Sequence, residues 1–191
     1  CVAMCPEDAL KMEKVQTGHI YISETDYGPM VHAKLKAGAE NSGKLVSEVR
    51  DVADDIAVDK DKELLLVDGS PGIGCPVVAS LKGIDFTIVV TEPSMSGLAD
   101  LKRVLQVTKH FNVPALVVVN KYDLNKEITE AIEMYCSDNE IPVIGKISFS
   151  PLINKVLKEG KLLVKEEKDS EPGRQIKNIW NQIEDYLVSA D

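Results

Sequence analysis

The stretch "LLLVDGSPGIG", Leu64 to Gly74, runs four aliphatic residues into Asp68 and then into a loop of Gly, Ser and Pro. An apolar run without alternation suits a strand buried on both faces, which is the mark of a parallel sheet. In doubly wound sheets, ligands bind beyond the carboxyl ends of such strands, and Asp68 sits at one. A carboxylate there can hold a magnesium ion, usually through water. Gly69, Ser70, Pro71 and Gly72 would let the backbone approach a phosphate and aim an amide at it. A strand-to-helix turn with a capping aspartate accounts for the same residues without a ligand.

The segments around this loop repeat its pattern. "DFTIVVTE" from Asp85, "PALVVVN" from Pro114 and "IPVIGKI" from Ile141 are short runs rich in β-branched residues, and "ELLLVD" from Glu63 reads as a strand with them. "MVHAKL" from Met30 is a further strand candidate. Between them, Leu45, Val46, Val49, Val52 and Ile56 fall at helical spacing behind a cap at Asn41 or Ser42. Leu98, Leu101, Leu105 and Phe111 mark a second helix, and Ile128 to Tyr135 part of a third. The alternation predicts an α/β fold, a mostly parallel sheet flanked by helices. "KEEKDSEPGR", Lys165 to Arg174, reads as a linker to a last helix that sets Ile176, Ile179, Trp180, Ile183 and Leu187 on one face.

Composition narrows the function classes. The 191 residues suit one main domain, 44% hydrophobic and 28% charged, with no apolar run near the roughly 20 residues that span a bilayer. A net charge of −9 without a basic block argues against a nucleic-acid backbone as partner. Four cysteines in a chain of this length are no disulfide scaffold, so a reducing, cytoplasmic setting is expected. His19, His32 and His110 are scattered and suggest no metal site.

Two further motifs carry chemistry. The chain opens on "CVAMCPEDAL", and C-x3-C-P is the tail of the bacterial ferredoxin run C-x2-C-x2-C-x3-C-P. Cys1 and Cys5 would be its third and fourth cysteines, iron–sulfur ligands of a module whose first half is missing; two small apolar residues near a chain end is the plainer alternative. "GHIYIS", Gly18 to Ser23, continues as an alternating strand. Further on, "VVVNKYDLN" leads a buried strand into Asn120, Lys121, Tyr122 and Asp123. The order N-K-x-D suits base reading: Asn120 can bond a purine edge, Lys121 can lie along base or ribose, and Asp123 can accept two bonds from a guanine. Helix capping by Asp123 or Asn125 explains two of these positions without a nucleotide.

With the D-x-x-P-G loop upstream, "LLLVDGSPGIGCPVVASLKGIDFTIVVTEPSMSGLADLKRV" and "VVVNKYDLN" resemble the MinD-like and Mrp-like P-loop ATPases, relatives of the nitrogenase iron protein. The resemblance is to the branch with an inserted ferredoxin domain carrying two four-iron four-sulfur clusters, and it runs from Cys1 to about Ile153. It implies a division at residue 28, with a remnant of the ferredoxin-like insert at 1–28 and the nucleotide domain at 29–191. It implies a γ-phosphate-sensing switch at Asp68 to Gly72, with Asp68 near magnesium, base contact at Asn120, and a base-covering loop "SFSPLIN" from Ser148 that includes Pro151. It also implies a homodimer that closes around ATP, with a redox partner or an iron–sulfur client.

Nothing matches that family's deviant Walker A loop. "GAENSGKL", Gly38 to Leu45, fits G-x-x-x-x-G-K but places Leu45 where Ser or Thr should meet magnesium, so it reads as the capped start of a helix. The first strand and its phosphate loop are therefore expected outside these residues, and this chain alone is expected not to hydrolyse ATP. Cys75, seven residues past Asp68, matches the place of a cluster ligand in the nitrogenase iron protein, but lacks an upstream partner and reads better as a buried small residue. Cys136 reads as core. The last helix has no basic polar face, so packing on the sheet is expected rather than membrane contact. Three function classes follow: an ATP-dependent iron–sulfur protein, a GTPase suggested by Asp123, and a non-hydrolytic cluster scaffold or carrier.

Overall fold

A computed structural model of the chain describes residues 5–7, 9–11, 13, 15–39 and 42–190, with side chains to 188. The described residues divide into two compact units. The first holds the residues up to Ser70 together with Cys75–Ser80, and the second holds Pro71–Gly74 and everything from Leu81 onward.

The second unit is built on a three-stranded parallel sheet. Strands β3 (Thr87–Thr91), β4 (Ala115–Asn120) and β5 (Val143–Ile147) lie in chain order, with β4 central. Helix α3 (Met95–His110) joins β3 to β4, and α4 (Lys126–Asp138) joins β4 to β5. Both begin as their sequences dictate: Ser94 accepts from the Gly97 amide and Asn125 from the Ile128 amide, each side chain satisfying one orphan donor of its first turn. Alternate residues of β4 then feed two cores. Val117 and Val119 pack with Leu101 and Leu105 of α3 and with Ile132 and Cys136 of α4. Val118 packs on the other face with Ile179 and Ile183 of α7 (Glu171–Ala190). Two-faced burial is why these strands read as unbroken apolar runs. The fold class is thus the α/β arrangement expected from the sequence.

The first unit is a β-hairpin with helices. β1 (Gly18–Thr25) and β2 (Gly28–Leu35) pair antiparallel from Gly18 opposite Leu35 to Thr25 opposite Gly28. The division expected at residue 28 falls on the first residue of β2, just past the turn of this hairpin. Helix α1 (Gly43–Asp59) starts where Ser42 accepts from the Leu45 amide. Gly43 is required there, because a Cβ would stand 2.9 Å from the Cys75 carbonyl oxygen. The described end of "GAENSGKL", from Ser42, is therefore a capped helix start as its sequence suggested, while the other cap candidate, Asn41, lies outside the described residues. Arg50 ties α1 to α2 (Cys75–Leu81), its Nη1 donating to the carbonyls of Ala79 at 3.0 Å and Ser80 at 3.2 Å.

Four sequence expectations are corrected. Residues 63–68 form no strand among the described residues: the segment finds no ladder partner, and Leu66 is 80% exposed. Phe111 leaves the buried face because α3 ends at His110; Phe111 becomes the C-cap, its ring meets His110 edge-on, and Val113 is buried instead. Trp180 is one step off the Ile176, Ile179, Ile183 stripe, lies exposed and donates its indole N–H to Glu184 at 2.6 Å. The expected linker is shorter than 165–174, since α6 (Leu163–Glu166) takes its start and α7 begins at Glu171, where Ser170 accepts from the Gly173 amide. The packing of α7 on the sheet stands as expected. Helix α5 (Pro151–Lys158) completes the unit.

Gly145 of β5 marks how close α7 lies, because a Cβ there would overlap Cγ1 of Ile179. Gly145→Ala should destabilise the chain by roughly 1–3 kcal/mol through overpacking. Ile179→Ala should itself cost roughly 2–5 kcal/mol. Because the two sites touch, urea denaturation should find the double variant less destabilised than the sum of the singles.

Candidate functional site

The expected site residues fall into both units, and each half stands on its own geometry. In the second unit, the carboxyl end of β4 delivers Asn120 and then a sharp change of direction. Lys121 adopts the left-handed conformation, φ 56° and ψ 38°, which a non-glycine residue tolerates only when its surroundings hold it. Its Nζ lies 2.5 Å from a carboxylate oxygen of Glu92, just past β3, so an ion pair ties two neighbouring strand ends. A single 3₁₀ turn, Tyr122–Leu124, leads to the Asn125 cap of α4. Thr129 donates its hydroxyl to the Tyr122 carbonyl at 2.7 Å and fastens that turn to the helix.

Asp123 points to the next strand end. Its Oδ1 accepts from the Phe149 amide at 2.6 Å. The adjacent Ser148 is held from α7, its amide and hydroxyl both donating to Gln175 Oε1 at 2.9 and 3.1 Å. Ser150 then caps α5, accepting from the Leu152 amide, and Pro151 occupies the first helical position, where a missing N–H costs nothing. The structure thus brings Asn120, Lys121 and Asp123 together with the loop that leads to Pro151. Among the described residues the Asn120 carboxamide has no hydrogen-bonding partner, which leaves one donor group and one acceptor for a ligand. The sequence motif located these residues. Glu92 and Gln175 had no signal in the sequence, and Phe149 was named only within the base-covering loop, because their contacts arise only when strand ends become neighbours.

The other half is more open. Asp68 is exposed at the end of the 64–67 segment. Among the described residues this carboxylate makes no ion pair, so it is open to a cation held through water. Within the first unit, a cavity of about 380 Å³ is lined by Val31, Leu45, Val49, Arg50, Leu66 and Asp68 among others. Most of that lining is aliphatic, so it suits an apolar segment better than a nucleotide. Gly72, in the second unit, has φ +90°, a conformation L side chains rarely adopt. The loop thus needs its glycine for backbone reasons.

The thiols are dispersed. Cys1 lies outside the described residues, and Cys5 is half-buried in the first segment. Cys75 is exposed, which corrects the expectation of a buried small residue: it is the first residue of α2, followed by Pro76, where the chain has only begun to fold inward. Cys136 is fully buried, as expected. Among the described residues no group of three or more His, Cys, Asp or Glu could hold a metal ion. The described residues do not by themselves fit a four-iron cluster.

Comparison with known proteins places this geometry. Residues 42–184 match the family model described as ParA, the NUBPL iron-transfer P-loop NTPases. The chain belongs to that family. Two similar relatives come from Methanocaldococcus jannaschii. An uncharacterized protein is 27% identical over 91% of this chain and 57% of its own length, and an uncharacterized ATP-binding protein is 30% identical over 61% of this chain and 44% of its own. The chain therefore spans about half the length of these relatives. Among solved structures, the cell division ATPase MinD of Pyrococcus furiosus aligns with a TM-score of 0.65 at 23% identity, covering 87% of this chain and 69% of that one. The septum site-determining MinD of Pyrococcus horikoshii, complexed with Mg-ADP, aligns at 0.62 and 18%, covering 80% and 60%. These likenesses establish the fold. No described helix is long and apolar enough to cross a membrane.

The thiols give a direct check on the structure. Burial pushes Cys136 up from 9.0 to about 11, with the Glu133 carboxylate adding to the shift. The stability this group contributes is fully present below about pH 9 and is lost as pH rises through about 11. Alkaline denaturation over that window should be less steep in Cys136→Ala than in the parent chain. In native buffer a thiol reagent should label Cys75 and spare Cys136 until the chain unfolds.

Proposed function

We propose that this chain is the switch-and-base portion of a nucleotide-dependent iron–sulfur protein, whose ATP hydrolysis drives electron transfer or the handling of iron–sulfur cargo. The observation that carries the nucleotide half of this reading is the Asn120 carboxamide at the end of β4, without a partner among the described residues and beside a loop already fixed by Asp123. An amide that offers both a donor and an acceptor matches the N6 and N7 edge of adenine. The relative described as ATP-binding and the MinD solved with Mg-ADP point the same way.

On this reading Asp68 holds magnesium through water, and the Asp68–Gly72 loop senses the γ-phosphate. Magnesium, when bound, offsets charge on the phosphates. Lys121, tied to Glu92, keeps the base side rigid, and the Ser148–Pro151 loop covers the base. The phosphate loop lies on a strand outside these 191 residues, which would also give the 64–67 segment the ladder partner it lacks here and fill the aliphatic cavity beside it. Closure of a homodimer around ATP would then present an iron–sulfur cargo to a redox partner or client. Cys1 and Cys5 serve as the last two ligands of a ferredoxin-type run, the others lying beyond this sequence.

The test is anaerobic preparation of a form extended before Cys1, beside the 191-residue chain. The reading predicts bound iron and sulfide and ATP hydrolysis in the extended form only. Asn120→Ala there should weaken ATP binding by about tenfold or more, the loss of one well-made base contact, and leave iron content unchanged. An extended form with neither iron nor nucleotide binding contradicts the reading. Preference for GTP over ATP would favour the GTPase alternative, and cluster binding without turnover would favour a scaffold.

A further inference from the structure

The N-K-x-D turn contains an acid that a guanine-binding site would use for reading the base. In this fold that acid is already employed. Asp123 Oδ1 takes the Phe149 amide at 2.6 Å, a short, charge-assisted bond across 26 residues of chain. The bond does not stand alone. Ser148 is gripped from the other side by Gln175 of α7, and Ser150 turns the chain into α5. Residues 148–150 are thus clamped between the 3₁₀ turn after β4 and the last helix, with the Phe149 ring left exposed. Lys121 is likewise paired with Glu92, and Asn125 is spent on capping α4. Of the polar side chains between 120 and 125, the Asn120 carboxamide and the Tyr122 hydroxyl have no hydrogen-bond partner among the described residues, and the Tyr122 ring lies under Lys146.

We propose that Asp123 is a positioning residue: its carboxylate anchors the 148–150 loop at the carboxyl ends of the strands, and selection of the base falls to Asn120. This deepens the nucleotide-binding reading above and rests on it for the meaning of the loop. The bond commits one carboxylate oxygen to main chain, so the acid of N-K-x-D has a use here that requires no guanine. Removing the acceptor should free the loop. Replacing it with a neutral acceptor of the same shape should not, since an Asn Oδ1 can take the same N–H.

Hydrogen exchange on the 191-residue chain tests the anchor without any nucleotide. Asp123→Ala should speed exchange of the Phe149 amide by about five- to tenfold, the scale of one net hydrogen bond. Asp123→Asn, which keeps an acceptor but loses the charge, should lose clearly less protection than Asp123→Ala. Unchanged protection in Asp123→Ala overturns the proposal, as does equal loss in both variants. A second arm follows amide NMR shifts on titration with AMP, GMP and xanthosine monophosphate. The same response to each in the parent and in Asp123→Asn supports an anchoring role. A guanine preference that Asp123→Asn converts into a xanthine preference overturns it, because only a base-reading carboxylate behaves so. If no nucleotide shifts any amide, the exchange result still decides the anchor, and what falls is the nucleotide reading.

Discussion

The burial of β4 on both faces is the constraint on which the second unit depends. Val117 and Val119 go to one helical layer and Val118 to the other, so the strand has no solvent-facing side on which to carry polar chemistry. Function is left to its carboxyl end. There the chain must reverse abruptly, and Lys121 adopts a left-handed backbone that costs energy unless neighbours hold it. Glu92, Thr129 and Phe149 do so, through an ion pair and two hydrogen bonds. The ion pair is surface-exposed and contributes little by itself. What matters is that three separate strand ends are fastened to one another, which makes a firm platform from segments that would otherwise be loops.

The first unit shows the opposite economy. Its helix α1 carries no fully buried side chain, and the apolar 64–67 segment runs beside a largely aliphatic cavity without a strand partner. Aliphatic residues that remain in water forgo the hydrophobic gain that fixes a strand.

Much of this was legible in the letters. Unbroken β-branched runs at Thr87–Thr91, Ala115–Asn120 and Val143–Ile147 gave away the parallel sheet, because both-face burial leaves no reason for alternation. Ser42 and Asn125 were among the cap candidates of their helices, whereas α3 was marked by its leucine spacing and its Ser94 cap emerged only in the structure. The Leu64–Val67 run was equally apolar, yet formed no strand, since a strand is a relation between two segments and sequence shows only one of them. Trp180 misled because a bulky apolar ring one position off the stripe looks like core until its indole N–H finds Glu184. Within the site, N-K-x-D marked where chemistry could occur. It could not show that Asp123 is bonded to Phe149, because that contact depends on β4 and β5 lying side by side.

The most direct measurement is to map where Mg-ATP touches the protein, by amide NMR shifts on a form extended before Cys1. The account predicts the largest amide shifts at Asn120, at 148–150, at 68–70 and at Gly72, with the cavity wall at Val31, Leu45 and Val49 unaffected. Shifts centred on that cavity, with Asn120 and the 148–150 loop silent, would contradict it.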